Sequence, residues 1–167
     1  MNPVATRLVG LRSGAVVFGV YLCSGVMSAL DLRSGQPKWQ LPVTGVNAPL
    51  PVGDAVFVVS KSGQLITANR DTGQIYWTRE LNESRERREG GFLTFGRRTI
   101  RPQWSGPLLA SNRLVVVNSF GEAVAFDPKT GAEQSRLNLG AAAYIAPSAY
   151  NGALYVLTDR GELVCIR

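Results

Sequence analysis

Histidine is absent from this 167-residue chain, and cysteine occurs only twice, at Cys23 and Cys165. The first absence removes the one side chain that titrates near neutral pH unaided. With it go histidine-based acid–base catalysis and every zinc site that needs imidazole. The second leaves no Cys-x-x-Cys pair, and a disulfide would require the fold to bring two distant Cα atoms close together. Long apolar runs are missing too. No stretch reaches the roughly 18 residues that carry a helix across a bilayer, and no window sustains a 3.6-residue apolar period. Acidic residues are in deficit, 12 against 18 Lys and Arg, for a net charge of +6. That excess admits an acidic protein, an anionic lipid surface or a nucleic acid as partner. No nucleic-acid-binding motif accompanies it, so nucleic acid is the weakest of the three.

What the chain does have is an internal repeat. Six residues after Gly25, Gly63 and Gly121 stand Asp31, Asn69 and Asp127, and ten residues after them stand Gly35, Gly73 and Gly131. Four residues further on come Trp39, Trp77 and, in the third copy, Ser135. Pro49, Pro107 and Pro147 each stand fourteen residues before Gly63, Gly121 and Gly161. The intervals between these anchor glycines are 38, 58 and 40 residues. A unit of about 40 residues is therefore stacked several times, with an insertion in the middle interval.

Each unit reads as strands. Apolar runs at 55–60, 114–118 and 153–158 are rich in Val, Leu, Tyr and Phe and are bounded by Gly, Asn, Asp and Ser, which is strand chemistry. Gly63, Gly121 and Gly161 fall where a hairpin needs positive φ, and Asp31 and Asp127 sit where a carboxylate caps its own turn. The runs are nearly continuous rather than alternating, as expected of strands packed on both faces. Four-stranded antiparallel sheets arranged radially satisfy this requirement, so the expected fold is an all-β propeller. A β-sandwich would not predict the repeat.

The string 29–39, Ala-Leu-Asp-Leu-Arg-Ser-Gly-Gln-Pro-Lys-Trp, resembles the blade motif of quinoprotein-type propellers, and 68–77 and 125–135 are similar to it. That resemblance implies a docking role between blades for Trp39 and Trp77, and a different packing at Ser135. The string 104–110, Trp-Ser-Gly-Pro-Leu-Leu-Ala, followed by Arg113 to Val117, resembles the C-terminal blades of BamB-like proteins of the bacterial outer-membrane assembly machinery. Family members have eight blades. The resemblance thus implies about 3.5 blades of an eight-bladed ring within 1–167: about 8–42, 43–81, 104–139 and 140–167. The fourth unit stops three strands in, as expected of the C-terminal half of a propeller, whether a fragment, a split gene product or a late start. Two copies could pair, or a complementing half could close the ring.

The resemblance further implies a non-catalytic scaffold at the periplasm or inner face of the outer membrane, with a protein partner in that machinery and no cofactor. The alternatives are a fragment of a dehydrogenase using pyrroloquinoline quinone, or a truncated chain without independent function. The dehydrogenases resemble one another in an adjacent-cysteine disulfide and a calcium cage, neither of which is legible here. The segment Gly14 to Cys23 follows Arg7 and Arg12 and invites a lipoprotein-signal reading, but bulky Leu22 precedes Cys23. The same segment aligns as a blade strand ahead of Gly25, so no convincing signal or lipobox is read. Cys165 falls four residues after Gly161, in the slot held by Ala29 and Ala125, and is expected to be a small buried side chain.

The insertion, 82–103, carries the functional expectation. It gathers Arg85, Arg87, Arg88, Arg97, Arg98 and Arg101 with Phe92 and Phe95 between them. Such a rim loop could hold an acidic protein surface or anionic lipid headgroups. Its plainer reading is a solvated linker hairpin.

Overall fold

The computed structural model describes residues 9–13, 16–23, 25–45, 47–89 and 98–167, with side chains described at 25–45, 47–87 and 99–167. Among them the chain is a succession of antiparallel sheets in sequence order. β1 (Val9–Ser13), β2 (Val16–Cys23), β3 (Val26–Asp31) and β4 (Pro37–Leu41) form the first sheet. The second comprises β5 (Leu50–Val52), β6 (Ala55–Val59), β7 (Gln64–Asn69) and β8 (Ile75–Glu80). A two-stranded ribbon, β9 (Arg87–Glu89) with β10 (Arg98–Ile100), follows. The third sheet is β11 (Trp104–Ala110), β12 (Arg113–Asn118), β13 (Glu122–Phe126) and β14 (Glu133–Asn138). The fourth has β15 (Ser148–Tyr150), β16 (Ala153–Leu157) and β17 (Leu163–Ile166). This is a partial β-propeller, three four-stranded meanders and one of three strands among the described residues.

The hydrophobic cores lie between sheets. Along β6, Val56 and Val58 enter a cluster with Met27, Ala29 and Trp39 of the first sheet. Phe57 and Val59, pointing the other way, join Trp104, Leu114, Val116 and Phe126 of the third. Side chains alternate across a strand, so a continuous Val-Phe-Val-Val run buries both of its faces. Val117, Ala123 and Val156 form a further cluster between the third and fourth sheets. Strand β14, outermost in its sheet, is almost wholly exposed.

The repeat is built from recurring turns. In the Asx turn after each third strand, the side-chain oxygen of Asp31, Asn69 or Asp127 accepts two backbone N–H bonds, from residues two and three further on. Gly35, Gly73 and Gly131 then donate their N–H to the carbonyl of the same Asp or Asn. These backbone donors hold the Asp31 and Asp127 carboxyls below the ordinary aspartate value.

Cys165 departs from expectation. It is free and exposed, whereas Ala29 and Ala125 are buried, because no further sheet packs on that face of β17 among the described residues.

Candidate functional site

A four-stranded meander sends its connections to two opposite ends. One end of this structure carries the tight turns between first and second strands and the Asx turns. There Arg70 donates its N–H to the Asp54 carbonyl at 2.7 Å. The other end, the rim, carries the hairpins between second and third strands and the loops that leave each sheet. Backbone bonds fasten each loop to a hairpin: Lys61 N–H to the Thr44 carbonyl, Leu81 N–H to Gly63, Leu139 N–H to Gly121 and Asp159 N–H to Ala142.

Tryptophans join the sheets at the first end. The indole N–H of Trp39, on β4, donates to the carbonyl of Arg70 at 2.8 Å. That of Trp77, on β8, donates to Pro128 at 3.3 Å. The two rings cover Gly73 and Gly131 of the following sheets so closely that a Cβ on either glycine would stand under 3.0 Å from ring carbons. Both glycines also have positive φ, +76° and +69°, which side-chain-bearing residues rarely adopt.

The insertion leaves the second sheet on the rim, and its root is packed. Leu81 is fully buried, and Asn82 is 6% exposed. The Asn82 amide donates to the Ser62 carbonyl at 2.7 Å and accepts the indole N–H of Trp104 at 3.0 Å. It thereby ties both ends of the insertion to a hairpin.

Arg85 corrects the expectation of a partner-facing arginine. It is 8% exposed, donates to the Leu81 carbonyl at 2.8 Å and to Glu133 Oε2 at 2.6 Å, and lies 5.3 Å from the Trp104 ring centroid. Its Nε is 3.4 Å from Glu122 Oε2. Arg136 closes the network on Glu133 at 2.9 Å. Burial pushes the Glu133 carboxyl up, but hydrogen bonds from Arg85 and Arg136 outweigh it and leave the group below its ordinary value. The Glu133 hydrogen bond raises Arg136. The solvated-linker reading therefore fails at Leu81, Asn82 and Arg85, which are buried and bonded internally, while Glu83 and Ser84 between them are exposed.

Beyond that root, two expected site residues reach the surface. Arg87 stacks its guanidinium 4.1 Å from the Phe120 ring centroid, and Arg101, 66% exposed in its side chain, pairs with Glu86 at 2.8 Å. Arg88 and Arg98 supply backbone to the ribbon, their side chains lying outside the described residues. Phe92, Phe95 and Arg97 lie outside the described residues altogether. On the same rim, the loop after β14 exposes Tyr144 and Ile145, which sequence reasoning missed. Their signal was a pair of large apolar residues in the stretch 140–146, otherwise made of Ala and Gly.

A sequence model described as outer membrane protein assembly factor BamB matches residues 2–79 and 87–166. The protein of that name from Legionella pneumophila (strain Paris) is 26% identical over 161 residues, 94% of this chain and 38% of its own length. In structure, BamB from Moraxella catarrhalis superposes with a TM-score of 0.70 at 16% identity, covering 94% of this chain and 42% of that one. The quinohemoprotein alcohol dehydrogenase of Comamonas testosteroni gives 0.53 at 18% identity, over 78% of this chain and 20% of that one. This chain thus spans about two fifths of the BamB proteins it matches.

Proposed function

The chain belongs to the outer membrane protein assembly factor BamB family, and from that premise we propose that it is a non-catalytic, periplasm-facing scaffold that binds a protein of the barrel-assembly machinery through its rim. The observation that carries this reading is the rim's construction. Backbone bonds and the Asn82–Trp104 bridge hold the loops rigid, and the fastened surface presents Arg87 on Phe120, Arg101, Tyr144 and Ile145. Aromatic and arginine side chains on a pre-organised surface are the usual anchors of protein interfaces. The carboxyls with displaced titration, Asp31, Asp127 and Glu133, are committed to turns or ion pairs, which is structural work rather than acid–base chemistry.

The test is binding of the purified chain to the immobilised barrel-inserting subunit of the same machinery. The wild-type chain binds with an affinity that weakens as salt rises. The paired substitutions Arg87→Glu and Arg101→Glu lower affinity by about tenfold or more, since rim charges set electrostatic complementarity, and leave the melting temperature unchanged. No binding by the wild-type chain overturns the scaffold reading. The likeness to a quinohemoprotein dehydrogenase supplies a rival, a fragment of a quinone-dependent enzyme. Pyrroloquinoline quinone with calcium raises the melting temperature of a cofactor binder, and no such rise is expected here.

A further inference from the structure

Thr67 is a polar residue in an apolar position. Four residues after their anchor glycines the first and third sheets carry buried Ala29 and Ala125, where the second carries Thr67. Thr67 is 2% exposed, and its hydroxyl has no hydrogen-bond partner among the described residues. A buried hydroxyl in that state has a desolvation cost that the two alanines avoid. Thr67 stands between Phe57 and Trp77 in a cross-strand row on the face that packs toward the third sheet. That row borders a cleft of about 340 Å³. Leu109 and Pro128 line it from the side of the third sheet, and the exposed Asp54 and Lys129 bring one charge of each sign. Both bordering sheets are four-stranded, and every lining residue lies between Val52 and Lys129. Trp77 is seated here more loosely than Trp39 is one interface earlier: it is only partly buried, and its indole bond is 3.3 Å against 2.8 Å.

We propose that this cleft binds a free aromatic α-amino acid whose ring carries a hydrogen-bonding group, as tyrosine does. The volume lies at the small end of ligand sites and suits one ring with its α-carbon substituents. Phe57 and Trp77, with ring centroids 6.4 Å apart, give that ring an aromatic wall. The polar group on the ring meets Thr67, whose hydroxyl and methyl exchange places by rotation between staggered χ1 positions. The α-ammonium meets Asp54 and the α-carboxylate meets Lys129. A single water is a poorer occupant, since it needs two to four polar partners and Thr67 is the one buried polar side chain in the lining. The cleft lies at the end of the sheets opposite the rim and uses none of the residues assigned above to a protein partner, so either assignment can fail alone.

Titration of the isotope-labelled full chain with tyrosine at low salt, followed through the indole N–H signals of its three tryptophans, tests the proposal. The Trp77 signal, assigned with Trp77→Phe, moves and saturates while that of Trp104 stays. Phenylalanine binds at least about fivefold more weakly, the scale of one buried hydrogen bond left unmade. Thr67→Val keeps the shape, drops the hydroxyl and makes the two amino acids equal. N-acetyl-tyrosinamide, which lacks both charges, binds at least about fivefold more weakly than tyrosine. A Trp77 signal unmoved by tyrosine overturns the proposal, as does equal binding of tyrosine and phenylalanine to the wild-type chain, a contrast that decides the matter even if Thr67→Val does not fold. A preference for tyrosine that survives in a folded Thr67→Val chain overturns it too. N-acetyl-tyrosinamide binding as tightly as tyrosine overturns the free amino acid in favour of a tyrosine within a polypeptide.

Discussion

Gly73 and Trp39 are built against each other: a methyl group on the glycine would stand 2.8 Å from Cδ2 of the indole. The two residues are on different sheets, so an absent side chain on one and a large side chain on the other together set the spacing between sheets. Gly131 and Trp77 repeat the relationship one sheet later.

Replacing Trp39 by alanine removes a buried ring and its hydrogen bond to Arg70, at an expected cost of about 3–5 kcal/mol in urea denaturation. Trp77→Ala costs less, since that ring is only partly buried. Trp39→Phe, which keeps most of the apolar surface and loses the N–H donor, falls between wild type and Trp39→Ala. A Trp39→Ala midpoint equal to that of wild type would remove this side chain from the account of how sheets are joined.

Gly73→Ala is expected to cost about 1–3 kcal/mol from its positive φ alone, with the ring clash added. In a Trp39→Ala background the clash disappears and the φ strain stays. The double-mutant cycle therefore shows a coupling of about 0.5 kcal/mol or more, and additivity would mean that glycine and indole do not sense each other.

Arg85→Met leaves Glu133 and Glu122 partly buried beside an apolar side chain and costs about 2–3 kcal/mol, breaking a paired charge being worse than never having one. Because Arg85 joins the insertion to the third sheet, proteolysis within 86–103 accelerates in the variant. Arg101→Ala, whose ion pair with Glu86 is exposed, changes stability by no more than about 0.5 kcal/mol.

The Glu133 carboxyl titrates below its ordinary value of 4.5 in the folded chain. A depressed folded value means the unfolded state binds more protons in that range. The stabilisation is complete above the ordinary value and drains away as pH falls through it toward the folded one. Melting temperature therefore drops in acid more steeply for wild type than for Glu133→Gln. Parallel curves for the two would show that the Arg85–Glu133–Arg136 network carries no linkage.

The turn registers were legible because turn chemistry leaves little choice of residue. Positive φ asks for Gly35, Gly73 and Gly131, and two backbone donors ask for a side-chain oxygen at Asp31, Asn69 and Asp127. The strands between were legible from continuous apolar runs such as Val56 to Val59. Arg85 was not legible, because in a run with Arg87 and Arg88 nothing local says which guanidinium turns inward. That choice is made by Glu122 and Glu133, which lie 37 and 48 residues further on. A faint signal existed: those slots hold Val26 and Pro37 in the first copy and Gln64 and Ile75 in the second, so acids in both slots are peculiar to the copy that follows the insertion. Cys165 misled because its slot was judged from Ala29 and Ala125, which have a neighbouring sheet over them.

The alternation along β6, with Val56 and Val58 in one cluster and Phe57 and Val59 in another, makes the second sheet a party wall. Opening the molecule there lays bare two cores at once, whereas lifting away the fourth sheet lays bare one. Unfolding then resembles a row of coupled units with nearest-neighbour cooperativity. Amide exchange should be slow at Val56 to Val59 and at Leu114 to Val117, whose sheets are packed on both faces, and faster at β17, which among the described residues is packed on one.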